Sequence, residues 1–326
     1  MSGVRKRIPV LLGMGLVFAM LFSAAVWAGT VKDLSDREIA VEKPFVRIIS
    51  LYGAHTENLF SLGLDKEIIG VSANESFPPE ALTRQVFSYH DDAEKFMAVK
   101  PDLVLTRPMI DRAYKPFVEK LEQSGITVVS LQPVGAGDMY EYWRNLGILT
   151  GREAAAEKMI SMFQKAVQEA EERIRSIAPE KRKRVYFEAI HSKMKTFSKD
   201  SMSMFVLRTA GGINIAEDAS QMRQTNIAAY GKERILAKAG EIDVFLAQHG
   251  TMNPVSVEVI VNEPGFQVIK AIRNKEVYLI DELLVSRPTL RLTEGIRQIS
   301  RMLYPDFRQI QSSDQQENSK GRKRPY

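Results

Sequence analysis

The sequence predicts an α/β protein of two lobes, each with a mostly parallel central sheet, joined by one long rigid α-helix with a cleft between the lobes. Three observations predict this. Short β-rich apolar runs alternate with helical patterns from Arg47 to Leu131. A second series of the same kind runs from Arg184 to Leu303. Between them lies the longest helical pattern in the chain. Repeated βα alternation is the mark of a parallel sheet with crossover helices. The length of 326 residues agrees with about two domains.

In the first series, Arg47–Leu51 reads as a buried strand and Thr56–Leu62 as a short helix stopped by Gly63. Ile68–Val71 and Asp102–Leu105 are further strands, the latter preceded by Pro101. Asp111–Gln123 is helical, ends near Gly125 and leads into a strand at Ile126–Leu131. In the second series, strands are expected at Arg184–Ile190, Ile242–Leu246 and Glu276–Ile280. Helices are expected at Ser201–Thr209, closed by Gly211-Gly212, at Val255–Arg273 with a break at Pro264-Gly265, and at Leu290–Leu303. Both lobes are thus Rossmann-like.

The connecting helix opens on Thr150-Gly-Arg-Glu153, a capping-box pattern. Met159, Phe163, Ala166, Ala170, Ile174 and Ile177 then recur at three- and four-residue steps, and Pro179 ends the run. About 26 residues at about 1.5 Å each give a rod of roughly 39 Å. A packed rod holds two lobes at a nearly fixed separation, where a loop would let them hinge widely. The expected division is a leader at 1–28, a first lobe at 29–149, the linking helix at 150–179, a second lobe at 180–308 and a disordered tail at 309–326.

Arg5-Lys6-Arg7 followed by the uncharged apolar run Ile8–Val26 reads as an export signal, with cleavage after Ala28. A retained membrane anchor is the rival, because about 18 apolar residues is the lower limit for a spanning helix. The chain has no cysteine, which removes disulfides, thiolate metal sites, Cys nucleophiles and lipid attachment after the apolar run. A soluble exported protein kept by the cell implies a Gram-negative periplasm. Three of the five net positive charges lie in Arg5-Lys6-Arg7 and the other two in the tail, so the body is neutral. Neither this distribution nor the short run Lys181–Arg184 points to nucleic acid.

Ligands of open α/β sheets sit beyond the carboxyl ends of the strands. The residues placed there are Tyr52, His55, Tyr89, His90, Arg107 and Arg112 in the first lobe. In the second they are His191, His249, Arg287 and Arg291, with Arg223 as a further cationic candidate. Two patterns matter. Arg-Pro occurs once per lobe, at Arg107-Pro108 and Arg287-Pro288, each ahead of a helix. Proline holds the preceding residue extended, and a guanidinium clamps carboxylate or phenolate oxygens in bidentate fashion. One arginine per lobe would close on an anionic ligand. The four histidines, His55, His90, His191 and His249, all fall in expected loops, but no His-x-x-x-His spacing supports a metal site. There is no G-x-S-x-G, H-E-x-x-H, phosphate-loop or dinucleotide motif, so the chain reads as a binder with no catalytic residues.

At these residues the chain resembles the periplasmic substrate-binding proteins of ABC importers that carry ferric siderophores, haem and cobalamin. The resemblance rests on Arg47-Ile-Ile-Ser-Leu51, Ala54-His-Thr-Glu-Asn-Leu-Phe-Ser-Leu-Gly63, Ile68-Ile-Gly-Val71 and Ala98-Val-Lys-Pro-Asp-Leu-Val-Leu105. It continues through Leu121–Val129 and Leu146-Gly-Ile-Leu-Thr-Gly-Arg152 to Ser286-Arg-Pro-Thr-Leu-Arg-Leu-Thr-Glu-Gly295. It covers about residues 45 to 305. The resemblance implies a monomer that holds one metal chelate between two lobes and docks on an inner-membrane permease served by a cytoplasmic ATPase. Docking in the family uses one carboxylate per lobe; Asp111 and Glu263 are the choices here. The paired arginines put an anionic Fe(III) chelate of the siderophore type first, with no covalently bound cofactor. Haem comes next. Cobalamin follows, with Tyr52, Tyr89, Tyr114 and Tyr140 as the available aromatic walls. An exported bare-metal chaperone using the histidines, or an enzyme on the same scaffold, is the rival of another class.

Overall fold

A computed structural model of the chain describes residues 29–223 and 225–305. The expected leader and tail lie outside the described residues. The first element is an antiparallel hairpin of β1 (Gly29–Lys32) and β2 (Glu38–Val41). The chain then runs through β3 (Ile48–Ser50), α1 (Gly53–Ser61), β4 (Ile68–Ser72), β5 (Gln85–Phe87) and α2 (Ala93–Ala98). It continues with β6 (Leu103–Thr106), α3 (Pro108–Ala113), α4 (Lys115–Gln123) and β7 (Thr127–Ser130). These strands form a five-stranded sheet in the order β5-β4-β3-β6-β7, with every pair parallel. β3 and β6 are buried along their whole length, as strands covered on both faces must be.

Two helices follow, α5 (Met139–Thr150) and α6 (Glu153–Arg175). The second half comprises β8 (Arg184–Ile190), β9 (Lys195–Phe197), α7 (Met202–Thr209), β10 (Ile213–Asn214), β11 (Ser220–Gln221) and β12 (Ile227–Ala229). It ends with α8 (Lys232–Ala237), β13 (Val244–His249), α9 (Val257–Val261), α10 (Lys270–Arg273), β14 (Val277–Asp281) and α11 (Leu292–Leu303). This sheet is mixed, in the order β11-β12-β9-β8-β13-β14 with β10 beside β8. Its β8-β13-β14 core is parallel, and β9, β12 and β11 are antiparallel.

The long helix α6 has 23 residues and buries Met159, Phe163, Ala170 and Ile174. It packs on α5 from one half and on α7 and α11 from the other. Phe163 stands edge-on to Trp143 of α5 at 5.4 Å and stacks on Phe205 of α7 at 6.1 Å. One apolar cluster runs from Ile48 and Leu105 through Phe163 to Phe187 and Leu246. The rod is therefore welded on both sides.

Three local expectations are corrected. The capping box at Thr150 does not form. Gly151 takes a left-handed conformation (φ 68°) that closes α5, so Thr150 is still helical and its hydroxyl donates back to the Leu146 carbonyl at 2.7 Å. Asp111–Gln123 is two helices, because Pro116 fits only a first turn and forces a restart after Tyr114 (φ −128°, ψ 38°). The histidines are not all in loops: His55 lies in α1, His191 opens a 3₁₀ turn, and His249 ends β13.

Candidate functional site

The site is built where β3, β6, β13 and β14 end. β6 stops at Thr106, Pro108 opens α3, and Arg107 between them is extended (φ −135°, ψ 158°) as the following proline requires. Its guanidinium lies over the Tyr52 ring, 5.0 Å from the centroid. Among the described residues no carboxylate pairs with it. Tyr52 precedes α1 and stands edge-on to His55 at 5.1 Å. Burial raises its phenol pKa, while the guanidinium groups of Arg107 and Arg287 pull it down. Two cations from distant parts of the chain therefore flank one tyrosine.

The Arg107 loop is braced from outside the sheet. Asp111 accepts from Thr106 Oγ1 at 2.6 Å, from Ser35 Oγ at 2.8 Å and from Arg37 Nη2 at 2.5 Å. Arg37 also pairs with Asp33 at 2.7 Å and Glu122 at 2.7 Å, tying the β1–β2 hairpin to α3 and α4. Both carboxylates expected to dock are thus engaged within the chain. Asp111 is closed into this brace, and Glu263 pairs with Lys232 at 2.6 Å and lies 3.6 Å from His191 Nε2.

Arg287 behaves differently from the expectation of a free clamp. Its Nη1 donates to Glu57 Oε1 at 2.9 Å and its Nη2 to the Asn74 carbonyl at 3.3 Å. Glu57, on α1, is 2% exposed. Burial raises its pKa above the usual carboxylate value, and Arg287 first and then Arg291, 3.8 Å away, oppose that only in part. Gly53 makes room for this pair, since a β-carbon there would stand 2.4 Å from Arg287 Nη1. Arg291 lies over the Phe77 ring at 4.7 Å.

His55 is not offered to a ligand. It is fully buried, with Nδ1 2.7 Å from the Tyr142 hydroxyl and Nε2 2.8 Å from the Thr106 carbonyl. Desolvation lowers its pKa to about 4, so the ring is neutral. His191 is the opposite case. The buried Glu188 carboxylate lies 3.0 Å from its Nδ1, and that contact raises the histidine pKa. His249 Nδ1 lies 2.8 Å from the Val255 carbonyl. His90 is exposed and joins Tyr89 and Tyr114 in a ring cluster with centroids 4.4–5.0 Å apart. Arg112, in α3, is exposed. Arg223 is exposed in the turn between β11 and β12 (φ 53°). Tyr140 packs on Trp143 and Phe163 in the inter-helix core, which removes it as an aromatic wall. No group of three or more His, Asp or Glu among the described residues is placed to hold a metal ion.

Sequence reasoning missed Glu57 and Gly53. The available signal was the polar run His55-Thr-Glu-Asn58 inside the first crossover helix, all of which is buried. Polar residues on a helix that must cover a sheet call for internal partners.

The profile of the periplasmic binding protein family matches residues 48–284. An uncharacterised ABC transporter substrate-binding lipoprotein of Bacillus subtilis is 25% identical over 287 residues, covering 86% of this chain and 87% of its own. The vitamin B12-binding protein of Vibrio cholerae is 24% identical over 261 residues, covering 79% and 89%. The crystal structure of a possible iron-binding, periplasmic solute-binding protein from Staphylococcus epidermidis superposes with a TM-score of 0.69 at 25% identity, covering 80% of this chain and 100% of that one. Among the described residues no helix is long and apolar enough to cross a membrane. With the two-lobed α/β architecture and a family match spanning most of the chain, this protein belongs to the periplasmic binding protein family.

Proposed function

We propose that this chain is the periplasmic solute-binding component of an ABC importer, that it captures an anionic iron chelate between its lobes, and that it delivers the chelate to an inner-membrane permease driven by a cytoplasmic ATPase. Its relatives are substrate-binding transport proteins, which supports the transport part. One observation carries the ligand class. Arg107 holds a guanidinium on Tyr52, at the carboxyl end of β6, and no carboxylate among the described residues neutralises it. Such a group is arranged for a charge that arrives with a ligand. Arg112 is a further exposed cation on the helix that Arg107 precedes, and the Tyr89–His90–Tyr114 cluster supplies flat aromatic surfaces in the same lobe. Cobalamin is the second reading, favoured by that aromatic cluster and by the name of the Vibrio relative.

A thermal-shift panel on the exported protein tests this. It would hold ferric catecholate, carboxylate and hydroxamate siderophores, haem, cobalamin and bare divalent ions. A ligand at 100 times its dissociation constant adds about 2.7 kcal/mol, or roughly 5–10 °C at this size. A shift with a ferric chelate is expected. A shift with cobalamin alone replaces the cargo, and a shift only with bare ions overturns the chelate reading.

A further inference from the structure

The segment Ser286–Arg291 follows the last strand of the second sheet and is held there by Ser286, whose hydroxyl donates to Gln248 Oε1 at 2.9 Å, yet Arg287 and Pro288 bond to the first half of the molecule. The Pro288 carbonyl accepts from Asn58 Nδ2 at 3.0 Å and from Trp143 Nε1 at 3.2 Å, both buried. Arg287 pairs with Glu57 and reaches the Asn74 carbonyl. The side chains of this ion pair are 15% and 2% exposed. Such a pair is shielded from salt and costly to break from one side. Gly53 is the backbone feature that admits the guanidinium against α1.

We propose that Ser286–Arg291 is a strut joining the lobes at a second point beside α6, and that the Glu57–Arg287 pair is the latch that sets the angle between them. One helix alone permits the lobes to bend and to roll about its axis. A second attachment away from that axis stops the roll. The only motion left is a rotation about the line through both attachments. Arg107 and the Tyr89–His90–Tyr114 cluster make none of the strut contacts.

The absence of cysteine lets two be introduced cleanly. Gln123→Cys at the end of α4 and Asn262→Cys after α9 are exposed positions, one per lobe. Both carry spin labels, and pulsed EPR reads the distance between them in the full exported chain without any ligand. Glu57→Gln and Arg287→Ala are expected to lengthen and broaden the distribution, raising the open population at least about tenfold. Gly53→Ala keeps both charges but displaces the guanidinium, and is expected to act in the same direction. Arg287→Lys is expected to fall between. If Arg287→Ala does not fold, Glu57→Gln and Gly53→Ala decide. Unchanged distributions in these two variants, folded and melting cooperatively, overturn the latch. The readout needs no cargo, so it stands or fails apart from the ligand assignment.

Discussion

Arg107-Pro108 and Arg287-Pro288 are the same dipeptide at the same kind of place, yet the molecule uses them in opposite ways. Each arginine precedes a proline ahead of a helix start. Arg107 stacks on Tyr52 with no carboxylate partner among the described residues. Arg287 is closed onto the buried Glu57, and the carbonyl of its proline accepts two hydrogen bonds. The difference teaches that a motif can fix the backbone of a residue without fixing its role. The role follows from whether the facing surface already carries a counter-charge.

The sharpest way to break the comparison is to delete each guanidinium in turn. Arg287→Ala leaves the Glu57 carboxyl buried without its main partner, to be desolvated as an ion or protonated, and is expected to cost about 3 kcal/mol of folding stability in urea denaturation. Arg107→Ala removes a cation that pairs with no carboxylate among the described residues and loses only its stack on Tyr52, and is expected to cost about 1 kcal/mol or less. Equal losses in the two variants would abolish the distinction.

The histidines sharpen the same contrast through pH. His55 is neutral in the fold, with a pKa near 4 against 6.5 for the free side chain. The unfolded chain therefore takes up the proton first. Stability is complete above about pH 6.5 and falls as pH drops towards 4, by on the order of 3 kcal/mol at about 1.4 kcal/mol per pKa unit. His191 has the opposite sign. Its pKa is raised by Glu188, so its contribution is full below its unfolded pKa and fades as pH rises through the folded one. Melting temperatures from pH 4 to 9 should show an acid limb removed by His55→Gln and a weaker alkaline limb removed by His191→Gln.

For the ligand, Arg107→Ala is expected to weaken chelate binding by about 2 kcal/mol, the scale of a charge-assisted hydrogen bond. Titration calorimetry with the cargo found in the panel would measure it, and a loss below about threefold would show that Arg107 does not contact the cargo. Arg107→Lys keeps the charge but loses the flat stack on Tyr52, a smaller expected loss of about 0.5–1 kcal/mol.

Much of the scaffold is written locally. Arg47–Leu51, Asp102–Leu105 and Arg184–Ile190 are apolar runs that only a strand covered on both faces would carry, and each forms one. Met159, Phe163, Ala170 and Ile174, at the apolar steps, all lie on the buried face of α6. The extended backbone of Arg107 follows from its proline. These features depend on residues a few positions apart, so the sequence by itself determined them. Less was legible where two local rules compete. Thr150 could cap the next helix or end the previous one, and the left-handed Gly151 settled it for the latter.

The partners were beyond reach. Glu57 and Arg287 are 230 positions apart, as are Asn58 and Pro288. Nothing near Arg287 in sequence shows that a buried carboxylate waits across the lobe boundary, or that Gly53 leaves room for the approach. Nor does the local context of His55 show that Tyr142 and the Thr106 carbonyl will occupy both ring nitrogens. Hydrogen bonds and ion pairs are short-ranged in space but indifferent to chain separation. The tertiary structure alone therefore decided which arginine is bound internally and which, among the described residues, has no carboxylate partner.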